Sequence, residues 1–324
     1  MHTYRILAND GIDAAGQKLL TDAGFDVVVK KISQAELAKV LADFDAILVR
    51  SATTINREII DACPSLKLIG RTGISMENID TEYARYKGIK VINTVEASAQ
   101  SVAEMVFAHL FGMARFLHQT NRKMPVEGTT NFESLKQQYS KGVELRGKNI
   151  GIIGLGKIGQ RVARMALGMG MNVLPYDLNA TKEMRIELDL FKGYSEASIT
   201  IRLKTVSFEE LLEQSDFLSL HIPHEKGTLA TITAKELAMM KDGAGIINTS
   251  SAGVIDEKDL LDALNSGKIA FAGFDTFDNE PHPMAALLEH PNVSMTPHIG
   301  GATKEAQERI GIEMAESIKS AFIG

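Results

Sequence analysis

The sequence predicts an α/β protein built from two parallel-sheet units, one of them split along the chain. Three observations lead there. Short β-branched runs alternate with helix-like segments over the first hundred residues, and the same alternation starts afresh at Asn149. A last amphipathic helix then remains without a partner once the second series is complete. Strands separated by helices need crossovers, and those crossovers cover both faces of a parallel sheet.

In the first series, residues 5–8 read as a strand and 14–23 as a helix ending at Gly24, a natural left-handed cap. Residues 25–29 form the next strand, and Ser33 caps a helix through Leu41 with Glu36 at the capping-box position. Residues 46–49, 66–69 and 90–92 supply three more strands. A long helix is expected over 98–120, followed by a polar stretch through Arg146. The second series has strands at 149–153, 172–176, 217–220, 244–248, 270–274 and 293–295. Residues 179–202 are polar and read as an excursion between strands. The closing helix, 304–322, carries Ile310, Met314, Ile318 and Phe322 every four residues, a stripe that requires burial. Its return to the first unit gives a split domain, 1–98 with 299–324, around an inserted domain, 99–298.

Composition narrows the function classes. The 324 residues are 44% hydrophobic and 23% charged, which suits a globular chain and argues against disorder. A net charge of -6 without a basic run makes a poor nucleic-acid binder. The single cysteine, Cys63, excludes an intrachain disulfide and a multi-cysteine zinc site. The histidines show no metal-ligand spacing, so no metal is expected. The opening residues lack a signal-peptide layout, and the apolar stretch 102–117 is short and holds Glu104, His109 and Arg115. The expectation is a cytoplasmic protein with a small-molecule substrate and neither membrane nor nucleic acid as partner.

The motifs that carry chemistry follow strand ends. Gly154-Leu155-Gly156-Lys157-Ile158-Gly159 comes after an apolar strand and opens a helix, the arrangement in which glycines admit a pyrophosphate to a helix N-terminus. Asp177 ends the next strand, where a carboxylate accepts from ribose hydroxyls and repels a 2′-phosphate; NAD is therefore expected over NADP. His221-Ile222-Pro223, the segment from Asp275 to Pro281, and Thr296-Pro297-His298-Ile299-Gly300-Gly301 each follow a further strand. Strand carboxyl ends in such a sheet share one crevice, so Glu280 and His298 are candidates for an acid–base pair.

Together GLGKIG with Asp177, HIP, DTFDNEP and TPHIGG resemble the D-2-hydroxyacid dehydrogenase family. VRSAT (49–53), GRTG (70–73), NRKMP (121–125) and AGVIDEKDL (252–260) look most like its D-3-phosphoglycerate dehydrogenases, in a short form without a C-terminal regulatory domain. The resemblance covers essentially the whole chain. It implies a Rossmann-type NAD domain inserted into a flavodoxin-like substrate domain, with a cleft between the two and a homodimer formed through the NAD domain. It implies oxidation of a 2-hydroxy acid to a 2-keto acid, or the reverse, with 3-phosphoglycerate as the first candidate, a reaction of serine biosynthesis. His298 would take the hydroxyl proton, and Glu280 would orient it and strengthen it as a proton acceptor. Gly154, Gly156, Lys157, Ile158, Gly159, Asp177, His221, Ile222, Pro223, Asn248, Thr249, Asp275 and Gly300 would hold the cofactor, Asp275 through the nicotinamide carboxamide. Arg50, Arg71, Gly73 and Ser75 match substrate positions, where guanidinium groups suit phosphate or carboxylate.

The substrate side departs from the family. Ser251 stands where the family carries the arginine that binds the substrate carboxylate, offering one hydroxyl in place of a bidentate fork. Ser75 replaces a glycine, Glu77 an aspartate, and Val95 stands where a proline is common. Three readings follow: a 3-phosphoglycerate-type dehydrogenase, a dehydrogenase for another hydroxy or keto acid, and a catalytically impaired NAD-binding paralogue.

Overall fold

A computed structural model describes the chain apart from residues 1–2, 74–75, 95, 180–182, 191–196 and 225–226, with the backbone alone at 188–190 and 197–198. Ser75 and Val95, singled out above, lie outside the described residues. The chain divides into two compact units, Met1–Ala99 with Gly301–Gly324, and Gln100–Gly300.

The first unit holds β1 (Arg5–Ala8), α1 (Ala14–Asp22), β2 (Asp26–Val29), α2 (Gln34–Leu41), β3 (Ala46–Val49), α3 (Arg57–Ala62), β4 (Leu68–Arg71), α4 (Thr81–Tyr86) and β5 (Lys90–Asn93). Its sheet is parallel throughout, in the order β2-β1-β3-β4-β5, the flavodoxin-like arrangement. β3 is buried on both faces, as an all-apolar strand between helical layers must be. The fourth strand runs two residues later than expected, at 68–71: Leu66 is buried in the helix-side core ahead of it, and pairing begins only at Leu68 with Ala46. Ser33 occupies the N-cap of α2, but its hydroxyl donates to the Glu36 carboxylate (2.9 Å) and caps no backbone amide. A reciprocal capping box forms elsewhere, at Thr233 and Glu236. The closing helix Lys304–Phe322 packs here. Its Gly311 meets Gly16 of α1 backbone to backbone, leaving no room for a Cβ at 16, and Met314, Ala315 and Ile318 are fully buried with Ile6, Ala8 and Leu48. Phe322 ends the stripe against Tyr4, ring centroids 4.6 Å apart.

The helix expected over 98–120 is two. α5 (Ala99–Ala114) stops, Phe116 takes a left-handed φ of 57°, and α6 (Leu117–Glu127) starts after it. The break is held by Phe116 packing on Tyr139 and Phe271, both at 5.6 Å. α7 (Phe132–Gln138) follows within the stretch read as polar.

The second unit continues with β6 (Asn149–Ile153), α8 (Lys157–Gly168), β7 (Asn172–Tyr176), then β8 (Glu183–Leu190) and β9 (Ala197–Lys204), α9 (Phe208–Gln214), β10 (Phe217–Leu220), α10 (Ala234–Met239), β11 (Ala244–Asn248), α11 (Glu257–Ser266), β12 (Ile269–Phe274), α12 (Ala285–Glu289) and β13 (Val293–Met295); Lys304–Phe322 is α13. Its main sheet, the second of the two large sheets, has six parallel strands in the order β13-β12-β11-β10-β6-β7. The order reverses between β6 and β10, and in open parallel sheets the crevice at that reversal is where ligands bind. The excursion at 179–202 is an antiparallel pair, β8 with β9, whose period-two alternation buries Ile186 and packs Met184 and Leu203 in the core that α8 and α5 share. No helix among the described residues is long and apolar enough to cross a membrane.

Candidate active site

Each strand around the reversal delivers one loop to the same edge of the second sheet. After β6, Gly154 takes φ 92° and lies so close to the His221 carbonyl that a Cβ would clash. A Cβ on Gly159 would run into the Gly154 carbonyl, so the first turn of α8 closes tightly on the strand. Gly156, the N-cap of α8, faces open space. Asp177, just after β7, leans back to this turn: its Oδ2 accepts from Leu155 N (2.7 Å) and its Oδ1 from Asn179 N (2.8 Å). Each carboxylate oxygen keeps a further lone pair for a ligand hydroxyl.

His221 follows β10. Its Nε2 pairs with the buried Ser219 Oγ at 2.9 Å, while its Nδ1 is buried without a partner. Burial pushes the imidazole down to about 3, so the ring is neutral. Thr249 Oγ1 after β11 and Thr276 Oγ1 after β12 are likewise buried and unpartnered. Buried polar atoms are normally satisfied, so three orphans at adjacent strand ends beside an open glycine turn fit a polar ligand such as a dinucleotide. Thr276 lies inside the DTFDNEP motif without being singled out there as a site residue; its buried, unpartnered hydroxyl marks it here. Asn248 was expected to bind cofactor, but both ends of its amide are engaged in the chain: Nδ2 donates to the Ser251 carbonyl (3.0 Å) and Oδ1 accepts from Ser250 N and Oγ (3.0 and 2.8 Å).

The acid–base candidates meet. His298 Nδ1 lies 2.9 Å from Glu280 Oε2, and both side chains remain partly exposed. A carboxylate can only accept, so Nδ1 donates and Nε2 presents its lone pair. Glu280 is itself held, its Oε1 accepting from Phe277 N at 2.9 Å. His298 sits at φ 53° and Asn279 at φ 59°, left-handed positions that non-glycine residues rarely take. Asp275, 2% exposed, grips the histidine loop: Oδ1 accepts from Thr296 Oγ1 (2.5 Å) and Ile299 N (2.8 Å), and Oδ2 from Gly300 N (2.7 Å). Three donors on a buried carboxylate make it first a clamp on this loop.

Ser251 is half-buried in the turn after β11. That turn is stitched to the Glu280 loop: Gly253 N donates to Asp278 Oδ1 (2.6 Å), and Asp278 N donates to Glu257 Oε1 (2.7 Å). Burial pushes the Glu257 carboxyl up to about 7; Asp278, Asp256 and Glu280 add to that rise against the bond from Asp278 N. The His224 ring lies against Gly253, occupying the space a Cβ would take.

The arginines belong to the first unit. Arg50 follows β3, and its guanidinium donates to Gln307 Oε1 at 2.5 Å; Arg71 ends β4 and donates to the Thr72 carbonyl at 2.9 Å. The Nε of each is buried and unpartnered. Burial lowers the Arg71 guanidinium from its ordinary value, Arg50 repels it, and Asp10 and Glu77 oppose the fall. A cation so placed gains from an added anion. Gly73, at φ 148°, leaves the space into which Arg71 Nη1 projects. A cavity of about 460 Å³ opens beside Arg50, lined also by Asp10, Gly11, Lys31 and Ser51. Asp10 organises it, accepting from Arg50 N (2.7 Å), Thr53 Oγ1 (2.8 Å) and the Lys31 ammonium. Among the described residues no three His, Cys, Asp or Glu side chains converge as a metal site would need.

Residues 107–300 match the family model of the D-isomer specific 2-hydroxyacid dehydrogenase, NAD binding domain. A hydroxypyruvate reductase of Thermotoga maritima is 40% identical over 322 residues, covering 98% of both chains. A D-3-phosphoglycerate dehydrogenase of Methanocaldococcus jannaschii is 37% identical over 99% of this chain, which spans 58% of that longer protein. Among solved structures, a glyoxylate reductase from Paecilomyes thermophila superposes with a TM-score of 0.80 at 29% identity, covering 99% of this chain and 96% of the other.

Proposed function

The chain belongs to the D-isomer specific 2-hydroxyacid dehydrogenases, NAD-dependent oxidoreductases, and from that premise we propose that it interconverts a 2-hydroxy acid bearing a second anionic group with its 2-keto acid, 3-phosphoglycerate being the first candidate. The observation that carries the reaction is the His298–Glu280 pair at 2.9 Å. When bound, NAD supplies the hydride acceptor for oxidation, and in its reduced form the donor for the reverse. His298 Nε2 takes the proton of the substrate hydroxyl as the carbonyl forms, and returns it in reduction. Glu280 holds the imidazole by its other nitrogen and stabilises the cation that results. Gly154, Gly156, Ile158 and the start of α8 seat the pyrophosphate, and Asp177 the adenosine ribose. His221 and Thr249 offer their unpartnered atoms to the cofactor.

The second anionic group is argued from Arg50 and Arg71, whose buried, unpartnered Nε atoms suit a phosphate. Ser251 leaves the family's carboxylate contact to a hydroxyl and to the backbone of its turn. A second substrate, hydroxypyruvate, is favoured by the likeness to the Thermotoga maritima reductase along the full length of both chains. Steady-state rates with NAD and 3-phosphoglycerate, and with NADH and hydroxypyruvate, test the choice. Turnover of 3-phosphoglycerate that His298→Ala abolishes supports the first; reduction of hydroxypyruvate alone supports the second. Failure of both acids, with NAD bound, removes both.

We further propose that two copies pair through the second unit. Phe111, Leu117, Met124, Val126 and Phe132 are large apolar side chains left exposed on α5 to α7, a patch that a partner would cover. Sedimentation equilibrium tests this, and a monomer at micromolar concentration would remove it. A cytoplasmic location completes the reading; fractionation of the source cells tests it.

A further inference from the structure

The core of the second unit contains a polar chain that the reaction scheme does not use. His109, on α5, is 3% exposed, and its ring sits over β12 at Gly273, where a Cβ would come within 2.8 Å of the His109 Cβ. Gly273 pairs with Ser294 on β13, so the same seat brings the imidazole to the neighbouring strand. Its Nδ1 lies 2.8 Å from Ser294 Oγ and its Nε2 3.2 Å from Thr296 Oγ1. Thr296 in turn donates to Asp275 Oδ1, with Met105 Sδ a weaker neighbour at 3.8 Å.

The direction of every bond follows from the carboxylate end. Asp275 can only accept, so the threonine proton points to it, and Thr296 Oγ1 must then accept from His109 Nε2–H. That leaves Nδ1 as acceptor for the Ser294 hydroxyl. The ring is therefore a neutral Nε2–H tautomer, in keeping with burial that lowers it to about 4. Beyond Asp275 lie the amides of Ile299 and Gly300, the two that follow His298. The left-handed φ of His298 persists only where its surroundings over-determine it, and this carboxylate does so from both oxygens.

We propose that His109 is a positioning residue for the reaction: with Ser294 it fixes the Thr296 hydroxyl, Thr296 fixes the Asp275 carboxylate, and Asp275 holds the backbone that aims His298. The inference rests on His298 being the proton acceptor. A buried imidazole with both nitrogens bonded locks one rotamer of each hydroxyl, so the clamp is set from the core and does not depend on what occupies the site.

Thr296→Val cuts the chain at its centre and Thr296→Ser restores it; His109→Leu and Ser294→Ala remove its far end. Losing one buried hydrogen bond of this kind lowers kcat about tenfold. The acid's KM and NADH affinity stay unchanged, and Thr296→Ser recovers the rate. In ¹⁵N-histidine spectra, the wild type shows a neutral Nε2–H ring at pH 6 that is assigned to His109 by its disappearance in His109→Leu. The His298 resonance, assigned by its loss in His298→Ala, shifts in Thr296→Val and returns in Thr296→Ser. An unchanged kcat in Thr296→Val, an Nδ1–H tautomer for His109, or a His298 resonance indifferent to Thr296 would each overturn the proposal. If the wild type turns over no acid, the functional reading fails instead, and the two spectral measurements still decide whether the chain sets His298. Should His109→Leu fail to fold, the Thr296 pair carries the test alone.

Discussion

His298 Nδ1 and Glu280 Oε2 stand 2.9 Å apart, though eighteen residues separate them and each belongs to a different loop. β12 and β13 lie side by side and parallel, so the loops that leave their carboxyl ends emerge together. The pair is thus a product of sheet order, and its chemistry follows from which nitrogen the carboxylate claims.

Glu280→Gln keeps the shape but can no longer balance a positive imidazole. General acid–base catalysis contributes roughly 10²–10⁴-fold, and we expect kcat to fall by about 10² in Glu280→Gln and further in His298→Ala. Stopped-flow measurement of hydride transfer checks this. A kcat in Glu280→Gln equal to wild type would show that the carboxylate does not assist His298.

Ser251→Arg restores a bidentate donor in the turn after β11. A charge-assisted contact contributes roughly 1.5–3 kcal/mol, so kcat/KM for the acid should rise by about tenfold or more. Steady-state kinetics on the two proteins suffice. A fall would mean that the turn stitched to Asp278 has no room for the longer side chain.

Arg71→Gln removes a half-buried guanidinium argued to meet an anion. KM for a phosphorylated acid should rise about tenfold or more, while that for an unphosphorylated acid changes little. Equal effects on the two acids would place the role of Arg71 in folding its own loop.

Asp177→Ser should admit NADP by removing the carboxylate that repels a 2′-phosphate. It should also weaken NAD, because the Leu155 and Asn179 amides lose their acceptor. Titration of both reduced cofactors by fluorescence reads this out, and a variant still closed to NADPH would show that selectivity lies elsewhere.

Acid lability follows from His109. Its folded value, about 4, lies below the ordinary 6.5 because burial disfavours the cation; His118 adds to the fall and Asp275 opposes it. The unfolded chain therefore takes a proton that the native state refuses. The stabilising difference is intact above pH 6.5, declines by about 1.4 kcal/mol per unit as pH falls, and levels off near 4, roughly 3 kcal/mol in all. His221 acts in the same sense, down to about 3. Urea midpoints for wild type and His109→Gln should converge toward pH 4. Parallel curves would refute the assignment.

Glu257 has the opposite sign. Held up to about 7 by burial, it favours the native state at low pH, and that contribution is lost as pH rises from 4.5 through 7. Glu257→Gln keeps an acceptor for Asp278 N and should flatten this alkaline loss. Equal pH slopes in the two proteins would exclude it.

Much was legible from residue order alone. The glycines at 154, 156 and 159 follow an apolar strand, and the four-residue stripe of α13 announces a buried helix. These are local signals: a turn that only glycine admits, or a period that only one secondary structure satisfies. The break at Phe116 was hidden, because a left-handed residue between two helices is chosen by Tyr139 and Phe271, which come from elsewhere in the fold. The β8–β9 pair was written in its alternation but masked by its polarity.

By itself the sequence determined two parallel α/β units, a dinucleotide turn with an acid after the next strand, and the presence of a histidine and a glutamate at strand ends. Only the tertiary structure decided that Asn248 spends its side chain on its own turn, that Asp275 spends its carboxylate on the neighbouring histidine loop, and that His109 reaches Thr296 across 187 residues. Periodicity and turn chemistry act between near neighbours and can be read in order. Hydrogen bonds between distant residues depend on which strands the sheet sets side by side, and linear spacing does not encode that.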